Sequence, residues 1–84
     1  MKLHGKIIRD TKLIKEALVE KDEGLSFRDA LEESLVDLCR QLEIQVPIWL
    51  KRNTSEFGIY RKTFFTQEQF IEKINFDRFE IRLL

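Results

Sequence analysis

Phe27, Leu31, Leu35, Leu38 and Leu42 recur at steps of three and four residues, and this single apolar stripe constrains the fold more than any other feature. A helix with one apolar face must bury it against a second layer of the same domain. The start of the helix is marked by Ser26 and Asp29 in an S-x-x-D capping pattern, with Leu25 and Ala30 placed as a hydrophobic staple. Arg28 and Glu32 form a favourable i,i+4 pair on the opposite face. The helix must end before Pro47, because the residue preceding a proline disfavours helical geometry. The spacing therefore predicts a central helix over about 27–43.

The covering layer is expected to be a sheet. Residues 2–9 (KLHGKIIR) suit a strand, and Asp10-Thr11 can form a tight turn. Residues 12–20 (KLIKEALVE) fit two descriptions. Leu13, Ile14, Ala17 and Leu18 lie at helical spacing, yet the run can also pair back as the second strand of a hairpin. Lys21 to Gly24 is then a polar loop. Pro47 to Leu50 (PIWL) is an apolar run that brings the chain back across the core. Asn53, Thr54 and Ser55 offer caps for a short helix near 54–60. Thr66 with Gln69 opens another short helix near 67–74, with Phe70, Ile71 and Ile74 inward and Asn75 as its stop. Phe79, Ile81 and Leu83 alternate with Glu80 and Arg82, the pattern of a half-buried strand. The expected fold is one α+β domain over residues 1–84: an antiparallel sheet, made of the N-terminal hairpin and the C-terminal strand beside it, packed by the central helix.

The opening hairpin, the capped helix, the PIWL segment and the ending FDRFEIRLL together resemble a family of small uncharacterised proteins from Firmicutes. The resemblance covers nearly the whole chain and rests on structural motifs. It implies a hairpin rather than a helix at residues 12–20, and a bacterial cytosolic setting. It implies no chemistry.

Composition bounds the function. Apolar residues make up 43% and charged residues 36% of 84 residues, which suits a compact domain with a thin core. Fifteen basic and fifteen acidic side chains cancel, which argues against a nonspecific nucleic-acid coat or a membrane-surface binder. The charge is unevenly spread, with a net of −2 over residues 1–46 and +2 over 47–84. Cys39 is the single cysteine and can form no internal disulfide, and no segment has the length of a signal peptide or a membrane span. The expected location is the cytoplasm, with no membrane partner.

Candidates for chemistry have ordinary structural readings. His4, the single histidine, has no His, Cys or Asp nearby at ligand spacing and reads as a surface side chain of a strand. Cys39 lies toward the C-terminal end of the helix, where the dipole opposes a thiolate, and reads as a small core hydrophobe. The carboxylate groupings Asp22-Glu23, Glu32-Glu33 and Asp37 read as a solvated surface. Three glycines build no phosphate-binding loop or nucleophile elbow. No catalytic, cofactor or metal site is expected, and the protein reads as a non-enzyme.

Eight of the nine aromatic residues lie between Trp49 and Leu84, and basic residues interleave with them. Aromatic rings and Arg are what protein interfaces concentrate at their centres. The expected partner-binding residues are Trp49, Arg52, Tyr60, Arg61, Lys62 and Phe65, on an aromatic-basic surface within 49–65 that contacts an unidentified protein. An alternative use of the segment is binding of single-stranded nucleic acid, which needs phosphate neutralisation beside stacking rings. The competing account is that the rings fill the core and the charges form its rim. A three-stranded sheet would leave open edges, so a homodimer through an edge strand, within residues 76–84, is a further expectation.

Overall fold

Residues 10 and 11 turn the chain through a tight two-residue corner. Both take the left-handed conformation (φ 54° and 63°), which a two-residue hairpin loop requires and which is costly for the β-branched Thr11. One distant and one local hydrogen bond hold them there: Asp77 Oδ2 accepts from the Asp10 N–H at 2.8 Å, and Thr11 Oγ1 donates to the Asp10 carbonyl at 2.6 Å. The strands on either side are β1 (Lys2–Arg9) and β2 (Lys12–Glu20), so residues 12–20 are the second strand of a hairpin. Ile7 pairs with Lys15 and Ile8 with Leu13, which leaves Ile14 as the extra residue of a bulge.

The computed structural model describes residues 1–22 and 24–84. After the hairpin come α1 (Phe27–Leu42), α2 (Lys51–Tyr60), β3 (Lys62–Phe65), a 3-10 turn at Gln67–Gln69, and β4 (Arg78–Leu83). The strands form one antiparallel sheet in the order β2-β1-β4-β3. The fold is α+β, as the sequence predicts, but with a fourth strand. β3 pairs along β4, so the C-terminal strand is hydrogen-bonded on both sides. That corrects the expected dimer contact: no edge is free within 78–83.

The helix α1 lies across one face of the sheet. Ser26 Oγ accepts from the Asp29 N–H at 3.1 Å at its start, and Glu43 ends it in the left-handed conformation. Its buried side is Ala30, Ser34, Leu35, Leu38, Cys39 and Leu42. Facing it are Leu3, Gly5 and Ile7 of β1, Val19 of β2, Phe65 of β3, and Phe79 and Ile81 of β4. Fully burying each Leu, Ile or Phe contributes about 1.5–3 kcal/mol, so this two-layer contact dominates stability. Phe27 departs from the expected stripe: at the first residue of the helix, it is 56% exposed. Lys21 bonds to Asp37 and ties the end of the hairpin to α1. This bond holds the Lys21 ammonium above and the Asp37 carboxyl below their ordinary ranges.

Two expected helices differ from the sequence reading. The helix near 54–60 begins at Lys51, because the Asn53 side chain reaches back inside the first turn and accepts from the Leu50 N–H at 2.8 Å. The helix near 67–74 is cut to a 3-10 turn. Gln67 takes the backbone groups that would continue it, donating to the Glu72 carbonyl (2.9 Å) and accepting from the Ile74 N–H (2.8 Å). Ile71 is consequently solvent-exposed and not inward, while Phe70 is buried.

Gly5 sets the distance between the layers. A Cβ there would lie 3.0 Å from Phe79 Cε1 and 3.2 Å from Leu38 Cδ1, both fully buried side chains. Gly5→Ala stiffens the unfolded chain, which favours folding by about 0.4–1 kcal/mol. Overpacking a filled core costs about 1–3 kcal/mol, and with neither neighbour free to move the cost prevails. Urea unfolding of Gly5→Ala is expected to give a lower midpoint with an unchanged slope. An unchanged or higher midpoint would contradict this packing.

Candidate functional site

A buried amide pair organises the region that carries the expected binding residues. Asn53 Nδ2 donates to Thr63 Oγ1 (2.7 Å) and to the Phe64 carbonyl (3.1 Å), joining α2 to β3. Asn53 Oδ1 accepts from Gln69 Nε2 at 2.8 Å, and the same Nε2 donates to the Ile48 carbonyl at 3.0 Å. Gln69 Oε1 accepts from Arg52 and from the Thr66 N–H. Both amides are fully buried with every polar atom paired, so the 48–50 segment, α2, β3 and the 3-10 turn are one unit.

This unit sends the six expected residues to three places. Phe65 is fully buried, stacked on Phe79 with centroids 5.6 Å apart, and presents no ring to a partner. The half-buried member of the adjacent pair is Phe64, on the opposite side of the strand. Trp49 and Arg61 border a groove between α1 and α2. Tyr60 and Lys62, with Phe64, border the sheet face that no helix covers, and Arg52 lies over the Phe64 ring at 4.8 Å. The expected single aromatic-basic surface is thus two surfaces, because the chain changes direction at Arg61, which ends α2 with φ 59°.

The groove has a volume of about 740 Å³ and is lined mainly by Phe27, Leu31, Leu35, Trp49, Phe57 and Leu83. A run of rings leads from its mouth into the core. Phe27 meets Phe57 at 6.5 Å, Phe57 meets Trp49 edge-on at 5.9 Å, and Trp49 meets Phe65 at 5.8 Å. Trp49 Nε1 donates to Thr54 Oγ1 at 2.8 Å, so its one polar atom is satisfied within the wall. Arg61 stands at the rim with no carboxylate within 4 Å among the described residues. Such a groove can bury an apolar segment and orient it by charge.

The remaining candidates are held in structural contacts. His4 Nε2 is hydrogen-bonded to Glu16 at 2.8 Å. Glu32 pairs with Arg28 at 3.7 Å, and Asp37 with Lys21 and Arg40. Asp22 and Glu33 are exposed, and Glu23 lies outside the described residues. Among the described residues no three His, Cys, Asp or Glu side chains gather as metal ligands, and no helix is long and apolar enough to cross a membrane. No protein-family model, curated protein or solved structure matches this chain.

Cys39 is 1% exposed between α1 and the sheet, and burial pushes its thiol up to about 12. The thiolate is the reacting species, so the folded protein should be inert to a thiol reagent at pH 8. Mass spectrometry is expected to find one label per chain after denaturation and none before it. Rapid labelling of the folded protein would contradict this burial.

Proposed function

We propose that the protein is a non-enzymatic interaction module whose α1–α2 groove receives an apolar segment of another protein. The observation that carries this reading is the 56% exposure of Phe27 at the mouth of an apolar groove. A ring left half in water beside other rings has contact area to gain, and a buried aromatic anchor is the usual centre of an interface. The partner segment is amphipathic, with its apolar side in the groove and an acidic flank toward Arg61.

Binding fits these residues better than catalysis. The one thiol is buried, the one histidine is bonded to a surface glutamate, and Glu32, the carboxylate that lines the groove, pairs with Arg28. The bacterial cytosolic setting implied by the family resemblance belongs to the same proposal.

Phe27→Glu and Arg61→Glu are exposed substitutions and should leave the fold intact. Immobilised wild-type protein is expected to retain a partner from lysate of the source cells, and Phe27→Glu to retain at least tenfold less of it. An anchor ring contributes about 2 kcal/mol or more, and tenfold corresponds to 1.4 kcal/mol. Tyr60→Ala, on the other surface, should retain it fully. A partner held equally by wild type and both groove variants would refute the assignment.

A further inference from the structure

The uncovered sheet face carries an arrangement that the protein-binding groove does not explain. Strand register places Lys62 of β3 directly opposite Arg82 of β4, and Arg82 directly opposite His4 of β1. The Leu83 N–H donates to the Arg61 carbonyl at 2.8 Å, so residues 61 and 83 stand at a hydrogen-bonding position of the ladder. The 62/82 pair next to it is of the closer, non-hydrogen-bonded kind. Like charges directly opposite destabilise a sheet. Here the carboxylates of the same face do not relieve them. Glu80 pairs with Arg78 at 2.6 Å, Glu16 with His4 at 2.8 Å, and Glu56 with Arg52 at 3.6 Å. Among the described residues Lys62, Arg82 and Lys6 have no carboxylate within 4 Å, although Lys6 sits in register between Glu16 and Glu80.

These cations line a hollow of about 390 Å³ with Tyr60 and Phe64 at its side. The two rings are not equivalent. Phe64 is covered by the guanidinium groups of Arg52 (4.8 Å) and Arg78 (5.8 Å). Tyr60, at the last turn of α2, is 65% exposed and free to stack. The opposed, unpaired charges of Lys62 and Arg82 beside one free ring match a ligand with phosphates and an accessible base face. A duplex hides its base faces, whereas a single strand offers them. We infer that the open sheet face binds single-stranded nucleic acid, with phosphates on Lys62, Arg82 and Lys6 and one base on Tyr60.

The test is fluorescence anisotropy of a labelled twelve-nucleotide thymidine strand, titrated with the full chain at 50 and 200 mM salt. Two to three phosphates neutralised on a single strand give a salt slope of about −1.4 to −2.1, a roughly seven- to twentyfold loss over this range. Lys62→Gln and Arg82→Gln should each weaken binding severalfold while keeping or raising the melting temperature, since each removes one of two opposed charges. Tyr60→Ala should also weaken it severalfold. Phe27→Glu should have no effect, which separates this inference from the groove. Absence of binding at 50 mM salt would overturn the inference. So would affinity indifferent to Lys62→Gln and Arg82→Gln, equal affinity for a duplex of the same length, or binding that ignores Tyr60→Ala and is matched by heparin.

Discussion

The hydrogen bond between the buried side chains of Asn53 and Gln69 is the contact on which both surfaces depend. Through it the 48–50 segment, α2, β3 and the 3-10 turn lock together and dock against β4. The apolar layers alone would bring these pieces close. They would not fix the angle at which α2 stands beside α1, which defines the groove, nor the side of β3 that faces water. A buried polar network with every atom paired specifies one arrangement, because any other leaves an amide unpaired at about 1–3 kcal/mol each.

The same bonds settle how the sheet ends. Asn53 donates to the Phe64 carbonyl, so α2 covers the outer edge of β3. The other edge, β2, stays open. It is interrupted by the bulge at Ile14 and carries Lys12, Lys15, Glu16 and Glu20, features that discourage pairing with another chain. With β4 interior, the sheet offers a partner its broad face more readily than an edge.

Much of this was legible in the sequence, and the exceptions have physical causes. The leucine spacing specified α1 almost to the residue, and the alternation of Phe79, Ile81 and Leu83 specified β4, because long periodic patterns report burial directly. β3 escaped because KTFF is four residues long, too short for alternation to be distinguished from a loop. Adjacent Phe64 and Phe65 could not be assigned inward or outward without the strand register, and the register depends on a contact with β4 far along the chain. The sequence also could not reveal that Arg61 reverses the chain between two sides of the molecule. Phe27 was readable as part of the stripe, but its exposure at the first residue of α1 depends on tertiary packing that the spacing does not report.

The most direct test of this account is amide hydrogen exchange by NMR on wild type and Asn53→Ala. The Ile48 N–H donates to the Gln69 carbonyl and the Thr66 N–H to the Gln69 side chain, so both report on the unit without touching the mutated residue. In Asn53→Ala these two amides are expected to exchange roughly 5- to 150-fold faster, the equivalent of about 1–3 kcal/mol. The β1–β2 and α1 amides should keep most of their protection. Unchanged exchange at Ile48 and Thr66 would contradict the central place given to the amide pair.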